Sequence, residues 1–85
     1  MVEEKIGTVE HFFAKVSVAA IRISSGELKV GDTIHIVGAS TDITEKVASM
    51  EINRVPVQMV KTGDDVGIKI TGRCHERDVV YKVPQ

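Results

Sequence analysis

Two stretches of the chain, Lys29-Val30-Gly31-Asp32-Thr33-Ile34-His35-Ile36 and Lys61-Thr62-Gly63-Asp64-Asp65-Val66-Gly67-Ile68, share the pattern K-x-G-D-x-[IV]-x-I. The pattern has a direct physical reading. A tight turn places glycine in a left-handed backbone conformation and is closed by the aspartate side chain. It runs straight into a strand whose side chains alternate between two faces. Two such starts predict pseudo-symmetric strands of one sheet; a solenoid would need at least three stacked units.

The segments around the echoes extend this reading. Residues 6–13 and 16–23 are rich in strand formers and meet near Ala14-Lys15. In the second segment Val16 and Val18 have one parity and Ile21 and Ile23 the other, so the apolar face is expected to change side at Ala19-Ala20 through a bulge or a coiled barrel strand. Residues 24–27 are a turn by composition. From Ile43 to Asn53 the alternation places Ala48, Met50 and Ile52 on one side and Ser49, Glu51 and Asn53 on the other. Pro56 then ends the run or sets it at an edge, and residues 57–61 are expected to form a helical turn or a connector. Val66, Ile68 and Ile70 are predicted to be buried, with Gly67, Lys69 and Thr71 exposed. A polar loop over 72–77 leads to a last alternating strand carrying Val79, Tyr81 and Val83. Six or seven short strands without an amphipathic helix predict an all-β fold, a small closed antiparallel β-barrel whose closure removes exposed edges.

A chain of 85 residues encloses one core, burying about 60–65% of its unfolded surface. A single barrel domain over 1–85, with its core over about 5–83, is therefore expected. The hydrophobic content of 42%, rich in Val and Ile, against only 4% aromatics suits a β-branched core. The net charge of −1 excludes the uniform positive field behind non-specific nucleic-acid binding, so any RNA contact must be local. A single cysteine, Cys74, fits a reducing compartment, and an acidic N-terminus without a long apolar run speaks against a signal peptide or membrane span. A cytoplasmic protein is expected.

No nucleophile elbow, zinc-binding helix motif, paired CxxC or phosphate-binding loop occurs, which predicts a non-enzymatic protein without cofactor or metal. Asp64-Asp65-Val66-Gly67 matches the D-x-x-G string of GTPases, but without a phosphate-binding loop it reads as a turn. Cys74-His75-Glu76 places three ligand-type side chains in a row, of which at most two could reach one metal, so a surface loop is expected there. The alternative is a redox or metal sensor on Cys74 and His75, since Arg73, His75 and Arg77 would favour the thiolate. In His11-Phe12-Phe13 the aromatics either fill and plug the barrel or, with Lys15 beside them, stack on unpaired bases.

Four runs in order carry a resemblance: residues 6–9 (Ile-Gly-Thr-Val), 26–36, 63–70 and 77–80 (Arg-Asp-Val-Val). Over about residues 5 to 83 the chain resembles domain 2 of translation GTPases such as elongation factor Tu and initiation factor 2. More narrowly, it is similar to the small elongation factor-like proteins built from this barrel alone. The resemblance implies a barrel that contacts the acceptor end of tRNA or ribosomal RNA. It further implies an RNA-binding site at Glu51 and Arg54, with Val9 and His11 on the first strand and Lys69 on a later one lining the same region. His11-Phe12-Phe13 and Lys69 depart from the family pattern. Without the GTPase domain, no nucleotide is expected to be bound by these residues. The same barrel also occurs as an accessory domain of some peptidases, which implies a protein-interaction module as the alternative.

Overall fold

The computed structural model describes residues 2–84, which form ten strands and no helix. They are β1 (Glu4–Phe13), β2 (Val18–Ile23), β3 (Glu27–Lys29), β4 (Thr33–Gly38), β5 (Thr41–Lys46), β6 (Met50–Ile52), β7 (Val55–Val57), β8 (Met59–Lys61), β9 (Asp65–Lys69) and β10 (Val79–Val83). The pairings are antiparallel: eight strands follow the order β5-β4-β10-β1-β2-β9-β6-β7, and β3 pairs with β8 apart from them. The fold is therefore all-β and antiparallel.

Both echoes form the turn their residues dictate. Gly31 and Gly63 have φ of 100° and 99°. The Asp32 carboxylate accepts from the Lys29 N–H at 3.0 Å, and the Asp64 carboxylate accepts from the Lys61 N–H at 2.9 Å. The strands that follow the turns, β4 and β9, lie in the eight-stranded sheet, while the strands that precede them, β3 and β8, pair with each other through buried Leu28 and Val60. The repeated sequence thus produces a repeated local structure whose two lead-in strands pair around a pseudo-twofold.

Several expectations are corrected by the backbone. Residues 57–61 form parts of strands β7 and β8, not a helical turn, which raises the strand number above six or seven. The run from Ile43 to Asn53 breaks into β5 and β6 because Val47 donates its N–H to Asp32 O at 2.8 Å and accepts from the Gly31 N–H at 2.9 Å. That detour to the echo turn shifts the phase, so Val47 is buried and Ala48 is exposed. In β10 the fully buried residue is Val80, paired with Ile36, while Val79, Tyr81 and Val83 are only partly buried. Cys74 turns its side chain into the core instead of sitting in a purely polar loop.

The apolar face of β2 does not change side. Ala19, Ile21 and Ile23 are all buried, and Val16 and Val18 face outward. The bulge lies in the partner strand, where the β1–β2 register shifts between Val9 and His11. The core itself is built as composition implied, largely from Ile and Val, each fully buried branched side chain contributing about 1.5–3 kcal/mol.

The sheet order leaves β5 and β7 as its two ends, so the expected closed barrel is not completed by a backbone ladder among the described residues. A side chain spans part of the gap: Glu45 on β5 accepts from the Thr71 and Gly72 N–H groups after β9, each at 2.7 Å. Glu45→Ala is expected to lower unfolding stability by about 2 kcal/mol, as two charge-assisted hydrogen bonds are lost. Urea denaturation measures this, and a variant as stable as the parent would show that the contact carries no weight.

Candidate functional site

Side chains of directly paired antiparallel residues share a face. Register therefore sets the outer surface of β1, β2, β9 and β6. His11 pairs with Ala20, Ala20 with Gly67, and Gly67 with Glu51, forming one cross-strand row. The next row is Phe13, Val18 and Lys69. Because Ala20 and Gly67 are the smallest side chains available, the middle of the first row is a trough between His11 and Glu51.

The trough belongs to an open groove of about 680 Å³ lined by Phe13, Val16, Val18, Ala20, Glu51, Asn53, Arg54, Asp65, Val66 and Gly67. Its apolar side is unusual for an outer surface: Phe13 is 49% exposed and Val16 55% exposed. Phe12, by contrast, packs against the core, so of the two adjacent phenylalanines one fills the interior and the other is exposed at the groove. The His11 ring lies edge-on to Phe13 with centroids 4.4 Å apart, and its Nδ1 is 3.1 Å from a Glu76 carboxylate oxygen.

Arg54 reaches the groove from the β6–β7 hairpin. Asn53 and Arg54 have φ of 51° and 66°, the positive values that a two-residue turn of this twist requires. A side chain as large as arginine in that conformation stores strain of about 1 kcal/mol or more. Arg54→Gly is accordingly expected to raise stability by about 1 kcal/mol while removing the guanidinium from the groove. Thermal unfolding checks this, and a destabilised variant would show that the arginine is held by packing. Among the described residues no ion pair joins Glu51 to Arg54, so neither charge is neutralised by the other.

The five sequence-predicted residues thus divide. Glu51 and Arg54 line the groove, and Lys69 and His11 stand in its two rows at the rim. Val9 does not join them: it is 1% exposed, in the core, paired with Ile21. The bulge at Glu10 separates Val9 and His11, which would otherwise share a face as residues i and i+2. The bulge also exposes Glu10, whose carboxyl is pushed above the usual range by neighbouring Asp65, a residue paired in turn with Arg22 at 3.2 Å. Phe13 was weighed from sequence as a candidate stacking residue, whereas Val16, Val18, Ala20 and Gly67 were not singled out as groove residues. The available signal was the parity of Val16 and Val18, which marks an outward apolar pair.

The Cys74 and His75 alternative meets a different environment from the one its sequence neighbours suggested. Burial, with added repulsion from Asp78 and Glu45, pushes the Cys74 thiol up to about 11. Among the described residues no group of three or more His, Cys, Asp or Glu is placed to hold a metal ion. Cys74 is expected to react with a neutral-pH thiol reagent about two orders of magnitude more slowly in the native protein than in urea. Equal rates would mean the thiol is accessible.

A family model for elongation factor Tu domain 2 matches residues 17–76, more than two thirds of the chain. An uncharacterised protease of Methanocaldococcus jannaschii is 45% identical over 78 residues, which is 91% of this chain but 19% of that protein. The chloroplast elongation factor Tu of Chaetosphaeridium globosum is 37% identical over 62 residues, 73% of this chain and 15% of the factor. A collagenase of Porphyromonas gingivalis is 30% identical over 78 residues, 91% of this chain and 22% of the enzyme. The chain spans about a fifth of these relatives' length. The solved C-terminal domain of a Geobacillus thermoleovorans protein described as a U32 peptidase superposes with a TM-score of 0.87 at 13% identity, covering 93% of this chain and 99% of that one. A second crystal structure of that domain gives the same TM-score over 95% and 93%. The structural likeness establishes the fold, and the family match extends from β2 through β9, the strands that carry most of the groove: the chain belongs to the elongation factor Tu domain 2 family.

Proposed function

We propose that this domain is a non-catalytic binding module of the cytoplasm that receives an unpaired RNA end, of tRNA or ribosomal RNA, in the groove between Phe13 and Arg54. The observation that supports this reading most is the convergence of Glu51 and Arg54, not paired with each other, on an apolar trough floored by Ala20 and Gly67. A base laid on Phe13 and Val18 gains about 1–3 kcal/mol from stacking. Glu51 accepts from ribose hydroxyls or a base amine, and Arg54 donates to phosphate. His11 and Lys69 extend the rows on either side, whereas Val9 contributes only by supporting the strand from the core. In this reading the sheet behaves as a barrel completed by side-chain contacts such as that of Glu45.

A second reading, a protein-interaction module, draws on another observation. Val55 on the terminal strand β7 and nearby Met59 are 59% and 55% exposed, next to an edge that has no partner strand among the described residues. Several relatives are named as proteases, and in that setting the domain would gather partners or substrates.

Titration of labelled total tRNA and ribosomal subunits at two salt concentrations tests the first reading. Saturable binding with a shallow salt slope is expected, because few phosphates are neutralised. Arg54→Ala and Glu51→Ala are each expected to weaken binding by about tenfold, the loss of one charge-assisted contact. Absence of saturable binding would overturn the reading and leave the edge at β7 as the surface to examine.

A further inference from the structure

His35 on β4 sits outside the groove and serves none of the roles above. Its Nδ1 lies 2.7 Å from Glu3 Oε1 and its Nε2 lies 2.6 Å from Asp42 Oδ1. A neutral imidazole carries one N–H and can donate to only one carboxylate; both contacts are satisfied only when both ring nitrogens are protonated. Glu3 precedes β1, and Asp42 belongs to β5, so the two contacts tie separate parts of the chain together.

We propose that Glu3, His35 and Asp42 form a proton-operated clasp that fastens the segment preceding β1 to the β4–β5 hairpin and releases it when His35 loses one ring proton.

The surroundings of the ring are consistent with this. His35 pairs with Tyr81 on β10 and Thr44 on β5, its ring centroid 6.3 Å from that of Tyr81. Lys5 of β1 is paired with Tyr81, and Lys46 of β5 with Thr33, the cations that register brings toward this face, whereas the carboxylates of Glu3 and Asp42 contact the ring directly at 2.7 and 2.6 Å. Direct contact with two anions outweighs these lysines. The hydrogen bond to Glu3, and then that to Asp42, raises the His35 pKa above its ordinary 6.5, with partial burial opposing them. The stabilisation from a raised histidine pKa is fully present below 6.5 and is lost as pH rises through the higher folded value. The segment at Glu3 is therefore held while His35 is doubly protonated and set free as pH rises through its raised midpoint.

The clasp is tested on the intact chain by NMR. The His35 ring is titrated, and the heteronuclear NOE of the Glu3 and Glu4 amides is followed across the same pH range, in wild type, Glu3→Gln and Asp42→Asn. These exposed substitutions leave the core untouched, and far-ultraviolet circular dichroism verifies the fold. In the wild type the His35 midpoint is expected above 6.5, and the NOE of Glu3 and Glu4 should fall through that same midpoint. Both variants should shift the midpoint downward, and in Glu3→Gln the NOE should be low and insensitive to pH. A His35 midpoint at or below 6.5, a midpoint unmoved by Glu3→Gln, or an NOE that does not follow His35 would each overturn the proposal.

Discussion

Gly7→Ala is expected to be among the most damaging single substitutions outside the hydrophobic core, lowering unfolding stability by about 3 kcal/mol. A methyl group at this position would lie against the backbone carbonyl oxygen of Arg22, and backbone in the middle of a sheet cannot step aside as a flexible side chain can. Gly7 pairs with Ile23 on one side and Val80 on the other, and the β1–β10 register shifts between Lys5 and Gly7. The close approach is thus built into the centre of the eight-stranded sheet. For a domain of this size the loss corresponds to a fall of roughly 12–24 °C in Tm. Gly31→Ala is the matched control. It has a φ of 100° but nothing within 4 Å of the added carbon, so only the left-handed conformation is penalised, by about 1–2 kcal/mol. Urea denaturation of both variants reads the difference. Equal losses would show that β1 and β2 can separate to admit a methyl group.

The two aspartates of the repeated turn provide the second large effect. Asp32→Ala is expected to cost about 3 kcal/mol and Asp64→Ala about 1 kcal/mol, although both close the same hydrogen-bonded turn. Asp32 is 4% exposed, and besides the Lys29 N–H it meets the Lys82 ammonium at 3.4 Å. Removing it leaves that ammonium, itself only one third exposed, beside a buried turn. Asp64 is less buried and makes only the turn contact among its side-chain bonds. Unfolding in urea measures both, and an Asp64 variant as unstable as the Asp32 variant would mean that turn closure, not the ion pair, carries the cost.

These aspartates also illustrate how much of the molecule could be read from its residues. The turn geometry of both echoes was legible because glycine at positive φ and a closing aspartate are local requirements, met within four residues. The difference between Asp32 and Asp64 was not legible, because it depends on Lys82, which arrives from β10 at the far end of the chain. The all-β class and the burial of Val66, Ile68 and Ile70 followed from alternation and stood, and of the two outcomes that proline's missing N–H allowed at Pro56 the edge strand is the one found. Alternation failed where a tertiary contact changed its phase. The Val47 bonds to the turn at Gly31 and Asp32 turned Ala48 outward, and the bulge at Glu10 separated Val9 from His11.

The same bulge explains why the candidate site was only half legible. Glu51 and Arg54 were found through a resemblance, and they line the groove. Val9 was placed beside them through the same resemblance, and the single inserted residue at Glu10 turns it to the opposite face from His11. Phe13 and Val18 were visible as apolar residues, yet their place in one row depends on the registers of β1 against β2 and β2 against β9. The parity of Val16 and Val18 hinted at an outward apolar pair, but which side chains lie beside them is set by pairing between distant strands.

In the proposed reading, an RNA-binding groove in a protein of net charge −1 would rely on shape and a few directed contacts. Glu51 and Asp65 would repel a phosphate chain running along the groove, whereas a single terminal nucleotide can place its hydroxyls toward the carboxylates and its phosphate toward Arg54. Preference for an RNA end over an internal stretch is therefore expected on this reading.

The most direct test is amide chemical-shift mapping with a short single-stranded RNA that ends in a free 2′,3′-diol, compared with the same RNA blocked by a 3′-phosphate. The account predicts saturable shifts concentrated at Ala20, Glu51, Arg54 and Gly67 for the free end, and weaker binding for the blocked one. No saturable shift at these four residues with either RNA would contradict it.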